Sequence, residues 1–259
     1  MISVSSAEIN AWVTAFFFPL ARILALLVAS PPFDNLALTV QVRLMLGLAI
    51  AIAIAPVLPS MPRIDPASAT GLLLLAREIF IGLAIGFVMR LVFAAVDMAG
   101  NLISLQMGLG FASSYDPQSA GQTAVVSEFL GLLALLTFLA INGHLMVIAT
   151  LVQSFTVLPV STPSLSAEIG SNLATSGAIL FSSGLLLALP VVVALLITNL
   201  ALAILSRAAP QLNLMAIGFP LTIALGFTAL MLALSYASAP LQHMFERGLA
   251  AMLAAAPVH

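Results

Sequence analysis

The residues that could carry catalytic or metal chemistry are few in this sequence and lie far apart. Its three histidines are His144, His243 and His259. A transition-metal site needs several such ligands brought together at defined spacings. The sequence contains no cysteine, which excludes a disulfide framework and a cysteine nucleophile. We therefore expect neither a metal ion nor any other cofactor.

Serine hydrolysis inside a membrane is the one catalytic alternative that the residues suggest. Ser182 and Ser183 precede a glycine in FSSGLLLALP, and His144 could in principle act as their base. However, no G-x-S-x-G elbow surrounds them, and small hydroxyl residues in apolar helices usually pack and form hydrogen bonds. The histidine fits a hydrogen-bonded helix break better than a proton relay. No phosphate-binding or dinucleotide fingerprint is present either, so the sequence predicts no enzyme.

Composition places the chain among membrane-inserting proteins. Of its 259 residues, 62% are hydrophobic and only 6% are charged, and the mean hydropathy is +1.22. Soluble domains carry roughly 25% charged residues. The net charge of −2 comes from seven arginines and nine acidic residues, with no run of either sign. The sequence therefore has no charge pattern for binding nucleic acid or an anionic lipid surface.

Clusters of Pro, Gly, Ser and Asp divide the chain into apolar blocks near or above the ~18 to 20 residues that cross a hydrocarbon core as a helix. We predict an all-α membrane-type fold of about six long hydrophobic helices. Their expected ranges are 10–30, 36–58, 71–105, 124–158, 176–206 and 211–253. The fourth is too long for one straight crossing and contains Asn142 to His144, so it should be bent or broken. The last two should form a helical hairpin.

The first block is predicted to be a retained helix, because it has no basic start and carries Arg22 inside its apolar run. Too few arginines lie in the connections for the positive-inside rule to assign an orientation. The topology in the membrane therefore stays open at this point.

Three charges inside the third block are its most informative feature. Arg77, Glu78 and Arg90 would each cost up to about 2.5 to 3.5 kcal/mol near the centre of a bilayer. We therefore expect neighbouring helices to shield them, or the helix to lie partly outside the hydrocarbon. Gly82 and Gly86 form a small-xxx-small face for close packing, either on a partner subunit or within one chain. Such charges and broken helices also occur in ion-coupled transporters, an alternative that the residues alone leave open.

A series of longer motifs, in chain order, resembles one known family. It comprises FFFPLARILALL, VRLMLGLAIAIAIAPVLP, REIFIGLAIGF, QMGLGFASSYDP, FLAINGHL, GLLLALPVVVALLITNLAL and RAAPQLNLMAIGFPL. Together, from about position 16 to beyond position 221, they resemble the flagellar biosynthetic FliR family of type III secretion export gates. The equivalent subunits of virulence injectisomes, which are SctT-like, are the neighbouring alternative. The neutral segment DPQSAGQT favours the flagellar branch.

The resemblance implies a non-enzymatic subunit in the bacterial inner membrane, at the basal body of the flagellum. One copy would join several copies of FliP and FliQ in a helical cone that conducts unfolded proteins, with FlhB associated and FlhA as a further candidate partner. Residues 1–175 would be FliP-like, and 176–259 would be a FliQ-like hairpin. In this family the helices are largely lifted out of the bilayer, which would relieve the cost of Arg77, Glu78 and Arg90.

The resemblance also implies a plug inside the channel, at Gln106 to Gln122. Glycines, a proline and uncharged polar residues suit a loop that fills a pore loosely and moves aside at low cost. By the resemblance, Phe111 with Met107 would contribute to a hydrophobic gasket, whereas the residues alone favour ordinary packing for both. The predicted plug residues are Met107, Gly108, Gly110, Phe111, Ser113, Ser114, Tyr115, Asp116 and Pro117. The predicted helix-packing and assembly residues are Gly82, Gly86, Arg77, Glu78 and Arg90.

Overall fold

The computed structural model describes residues 6–34, 39–59, 64–109, 125–160, 168–209 and 214–254. Within these ranges all regular structure is helical, which confirms the predicted fold class. The α-helices are α1 (Ser6–Ala29), α2 (Val40–Ile54), α3 (Ala69–Gln106), α4 (Val125–Ala140), α5 (Gly143–Val157), α6 (Glu168–Ala208), α7 (Leu214–Leu234) and α8 (Ser238–Ala254). A short 3-10 helix, Ala55–Val57, extends α2.

In the part of the chain that the structure describes, the six predicted blocks appear as eight α-helices because two of the blocks are broken. The fourth block breaks at Asn142, whose φ of 56° lies in the left-handed region that asparagine tolerates better than most residues. This is the break expected at the NGH sequence. The sixth block breaks after Leu234, and α8 then starts with Pro240 in its first turn, where the missing N–H costs little.

Helix α3 has nearly the predicted bounds, whereas α6 is longer than predicted. Helix α3 begins after Ser68, whose Oγ accepts a hydrogen bond from Gly71 N at 3.0 Å, and it runs without interruption for 38 residues. At 1.5 Å per residue it is roughly 57 Å long, well beyond a hydrocarbon core of ~30 Å. Helix α6 begins at Glu168 rather than near Ser176, because its first turns are polar and an apolar length rule does not count them.

Four stretches among the described helices are long and apolar enough to cross a membrane. They are Val40–Val57, Ala69–Gln106, Gly170–Ala208 and Ile217–Leu234. The pair α4 and α5 would make a fifth if counted as one broken span. The chain is therefore a membrane-type protein by helix length and composition.

The chain divides into two compact units. Unit 1 comprises Met1–Leu91, Asn142–Ala178 and Phe245–His259, and unit 2 comprises Val92–Ile141 and Ile179–Met244. Helices α3 and α6 contribute to both. Buried apolar side chains in unit 1 include Phe18, Leu26, Ile85, Met89, Val147 and Phe155, and those in unit 2 include Ile103, Met107, Phe138, Val191 and Leu195. The predicted division at 175/176, which concerns likeness to two other subunits, stays a prediction.

Candidate functional site: buried charges and the root of the predicted plug

A buried ion pair joins α1 to α3 in unit 1. The Arg22 side chain is fully buried, as is that of Glu78. Arg22 Nε donates to Glu78 Oε2 at 2.6 Å, and Arg22 Nη2 lies 2.6 Å from the same oxygen. The arginine Cζ also lies 4.1 Å from the centroid of the Phe155 ring on α5, a cation–π contact. The charge on α1 is thus neutralised by a residue on another apolar helix.

The remaining Arg22 donors bind the C-terminal end of α5. Arg22 Nη1 donates to Ser154 Oγ at 3.0 Å, and Nη2 donates to the Leu158 carbonyl at 2.9 Å. Carbonyls at a helix C-terminus have no partner within the helix and carry partial negative charge. One guanidinium therefore holds α1, α3 and α5 together.

Arg77 adds a second guanidinium to this site and leaves it with an excess positive charge. Its side chain is only 4% exposed, and its Nη1 donates to Glu78 Oε1 at 3.2 Å and to the Pro159 carbonyl at 3.1 Å. Two guanidiniums thus share one carboxylate, and the end of α5 contributes roughly half an elementary charge of the opposite sign. We call Arg22, Arg77 and Glu78 the buried cluster. The expectation that neighbouring helices shield Arg77 and Glu78 matches these contacts.

Gly82 and Gly86 lie on α3 directly against the main chain of α1. A Cβ built on Gly82 would lie 2.2 Å from the Arg22 carbonyl oxygen, and one on Gly86 would lie 2.6 Å from Ala29 Cβ. No other residue type fits at these two positions without moving the helices apart. Of the two alternatives for this small-residue face, packing within one chain is the one that the described contacts show.

Arg90, which continues the same row, has a different environment. Its side chain is 59% exposed, and its Nη2 lies 3.9 Å from Asp34 Oδ2. The other oxygen of Asp34 lies 3.0 Å from Arg43 Nη2, with Arg43 16% and Asp34 32% exposed. We call Asp34, Arg43 and Arg90 the exposed cluster. It has the same composition as the buried cluster, two arginines and one acid, but it faces outward.

The two serines considered for catalysis form hydrogen bonds within their own helix. Ser182 and Ser183 both donate their hydroxyl protons to the Ile179 carbonyl one turn earlier, at 2.8 and 2.9 Å. This is the hydrogen bonding that small hydroxyl residues make in apolar helices. His144 lies half-buried in the first turn of α5, after the break. Among the described residues, no three His, Asp or Glu side chains are grouped to hold a metal ion.

The described part of the predicted plug is its root, residues 106–109. Helix α3 ends at Gln106, and Gly108 has a φ of 81°. Gly108 N donates to the Leu105 carbonyl, and Leu109 N donates to the Ser104 carbonyl, both at 3.1 Å. This paired pattern is a Schellman motif, and its left-handed position favours glycine. The other predicted plug residues, Gly110, Phe111, Ser113, Ser114, Tyr115, Asp116 and Pro117, lie outside the described residues.

Sequence reasoning missed the partners of the buried charges. It noticed Arg22 as an interruption of an apolar run but did not pair it with Glu78, 56 residues away. Opposite charges in separate apolar blocks were the available signal, because each needs a counter-charge in a low-dielectric interior. Ser154 and the carbonyls of Leu158 and Pro159 carried no such signal, since serines and carbonyls occur throughout the chain.

The sequence matches the family described as bacterial export proteins, family 1, over residues 13–248. It is 42% identical over 222 residues to the flagellar biosynthetic protein FliR of Pectobacterium carotovorum subsp. carotovorum, and equally to that of Escherichia coli (strain K12). Each alignment covers 86% of this chain and 85% of the relative. FliR of Caulobacter vibrioides is 32% identical over 219 residues, covering 82% of this chain and 87% of the relative. Residues 13–248, the region that matches the family, contain α2 to α7 and the predicted plug.

Proposed function

This chain belongs to the FliR family of bacterial export proteins and is a subunit of the flagellar type III export gate, and on that premise we propose that residues 106–122 plug the gate's channel at rest. With FliP and FliQ, the chain forms the conduit for unfolded flagellar proteins. The subunit is a structural part of the secretion machinery. Its proposed role is to form the wall of the export channel and to close that channel at rest.

An export gate has to pass chains of any sequence and still hold back ions when idle. A loop of mostly small residues with a single charge, Asp116, suits both demands, because it makes few strong bonds with the wall or with the cargo. Phe111 adds a bulky apolar side chain that can exclude water at a narrow ring by dewetting. The observation that carries the proposal is the glycine turn at Gly108, which ends a 38-residue helix immediately before this polar segment.

Deleting Ser113 to Ala120 tests the plug. We expect idle gates with the deletion to leak ions or small solutes while the complex still assembles, because the deleted residues belong to the proposed plug and to none of the described helices. Phe111→Ala should give a milder leak. The measurement is solute entry into cells or conductance across membranes that carry the variant gate. Unchanged conductance in an assembled deletion variant would reject the plug.

We further propose that the chain enters the gate as one copy, with FliP and FliQ around it. FlhB would associate with this complex, and FlhA is a further candidate partner. The complex would lie in the inner membrane at the flagellar basal body. Large apolar side chains line exposed faces of its helices and need cover from lipid or from sister subunits. On α6 these include Leu186, Ile197, Leu200 and Ile204, each more than 60% exposed. In the exposed cluster, Arg90 is the charge most open to a partner.

Co-purification tests the assembly. We expect the chain to behave poorly alone and to purify as a defined complex when it is produced with FliP and FliQ. A stable, monodisperse single chain that moved a small solute across liposomes would instead favour the ion-coupled transporter.

A further inference from the structure

We propose that Thr222 and Gly226 on α7 position the root of the plug by holding Met107, so that any movement of the plug begins after Leu109. This inference rests on the proposed plug function and makes it more specific. It assigns a role to two residues of the C-terminal region that the plug sequence itself does not include.

The Met107 side chain sits in a notch on α7. It is fully buried, and a Cβ built on Gly226 would lie 2.6 Å from Met107 Cγ and 3.0 Å from its Sδ and Cε. The notch therefore exists only because residue 226 has no side chain. Three heavy atoms of Met107 fill the space that the side chain of any other residue type at position 226 would need.

Thr222 holds the main chain at the same point. Its hydroxyl lies 3.2 Å from the Met107 carbonyl oxygen and 3.0 Å from the Phe219 carbonyl of its own helix, so one proton is shared between two acceptors. The Met107 carbonyl lies at the C-terminal end of α3, where carbonyls lack partners within the helix. Thr222 and Gly226 are four residues apart and thus share one face of α7.

These contacts fix residues 107–109 at the end of α3. Met107 is held by its side chain and by its carbonyl, and the Schellman hydrogen bonds hold Gly108 and Leu109 against the last turn of α3. The left-handed turn at Gly108 then sets the direction in which the chain leaves the helix. We therefore assign Met107 to the anchor and keep Phe111 as the gasket residue.

A disulfide across the notch tests whether the anchor moves. The chain has no cysteine of its own, so Met107→Cys with Gly226→Cys introduces its only thiols. The built Cβ at 226 lies 2.6 Å from Met107 Cγ, which places the two Cβ atoms near the separation of ~3.5 to 4.5 Å that a disulfide needs. We expect the oxidised pair to form in the assembled gate and to export flagellar proteins at the level of the reduced pair. A pair that fails to cross-link, or a cross-link that stops export until it is reduced, would overturn the inference.

Two glycine-to-alanine changes on α7 test whether the anchor positions the plug. Gly226→Ala pushes against Met107, whereas a Cβ on Gly218 would come no closer than 3.7 Å to Leu202. Displacing the root should raise the leak of idle gates roughly tenfold if overpacking costs what it does in other cores. Gly218→Ala should leave the leak at the level of the unmodified gate. Equal leaks from the two variants would contradict the positioning role.

The two proposals fail in different ways. If the deletion of Ser113 to Ala120 leaks and the cross-linked pair blocks export, the plug stands and the fixed anchor is wrong. If the deletion does not leak but the cross-linked pair still exports, Met107 remains the fixed end of α3 and the plug itself is wrong.

Discussion

Unit 1 contains two clusters of two arginines and one acid, and burial separates them. In the buried cluster the side chains of Arg22 and Glu78 have no exposed surface, and the ion pair measures 2.6 Å. In the exposed cluster Asp34 contacts Arg43 at 3.0 Å and Arg90 at 3.9 Å, with side chains 16 to 59% exposed. Two arginines around one carboxylate are therefore shielded from water in one cluster and open to it in the other.

The difference in burial indicates which charges stabilise the chain's own fold and which are open to a partner. A buried charge that loses its partner has no water to replace it, whereas an exposed pair contributes only about 0 to 1 kcal/mol. Arg77 and Glu78 hold the chain's own helices, so their predicted contribution to assembly would be indirect. Arg90 is mostly exposed, which suits a direct contact with another subunit.

The largest loss of stability is expected from Glu78→Gln. It leaves two buried guanidiniums without a carboxylate, and breaking a buried pair in this way costs about 3 to 5 kcal/mol. The matched control is Asp34→Asn, the same change of acid to amide in the exposed cluster, which should cost at most about 1 kcal/mol. Thermal unfolding of the purified complex in detergent measures both. If Asp34→Asn proved as damaging as Glu78→Gln, burial would not be what separates the clusters.

An intermediate effect is expected from Gly82→Ala, which tests whether the close approach of α1 and α3 supports the buried cluster. The new methyl group meets the Arg22 carbonyl and must push the helices apart, at a cost of about 1 to 3 kcal/mol. Gly177→Ala is the control, because its Cβ would lie 3.8 Å from the nearest side chain, that of Leu91. The same unfolding measurement should show the control unchanged or slightly more stable, since alanine favours helix. A loss as large for Gly177→Ala would point to helix flexibility instead of packing.

The smallest effect on stability is expected from Arg90→Glu, at most about 1 kcal/mol, because its contact with Asp34 is long and exposed. The yield of complex with FliP and FliQ should nevertheless fall, since a partner that met a positive charge now meets a negative one. Arg90→Gln, which removes the charge without reversing it, should lie in between. A normal yield of complex with Arg90→Glu would remove Arg90 from the assembly surface.

The helical blocks could be predicted because their signals are local. Block length and the proline and glycine stops located the long apolar helices of the described residues, and the NGH sequence located the break at Asn142. Proline alone was not decisive. Pro19, Pro190 and Pro220 lie inside continuous helices, while Pro240 follows a break that was not predicted. Whether a helix continues through a proline depends on what packs beside it, which the local sequence does not encode.

The site was predictable only in part, because its contacts join distant segments. The charges in α3 indicated shielding, and the small residues indicated close packing, since each pattern lies on one helix. Their partners lie on α1 and α5, and the seat of Met107 lies on α7 at Gly226, more than a hundred residues later. A glycine in an apolar helix has many uses, so nothing in the sequence marked Gly226 as the partner of Met107.

The buried cluster also imposes an order on biosynthesis. Arg22 is translated 56 residues before Glu78 and 132 residues before Ser154. At about 5 to 20 residues per second, the wait for Ser154 is roughly 7 to 26 s. Glu78 is made after roughly 3 to 11 s at the same rate, and until then Arg22 has no counter-charge. Helix α1 should therefore stay at the membrane surface or with the insertion machinery, where water can solvate the arginine. Helix α1 would thus leave the ribosome before α3 and α5 but reach its final place only when they are present.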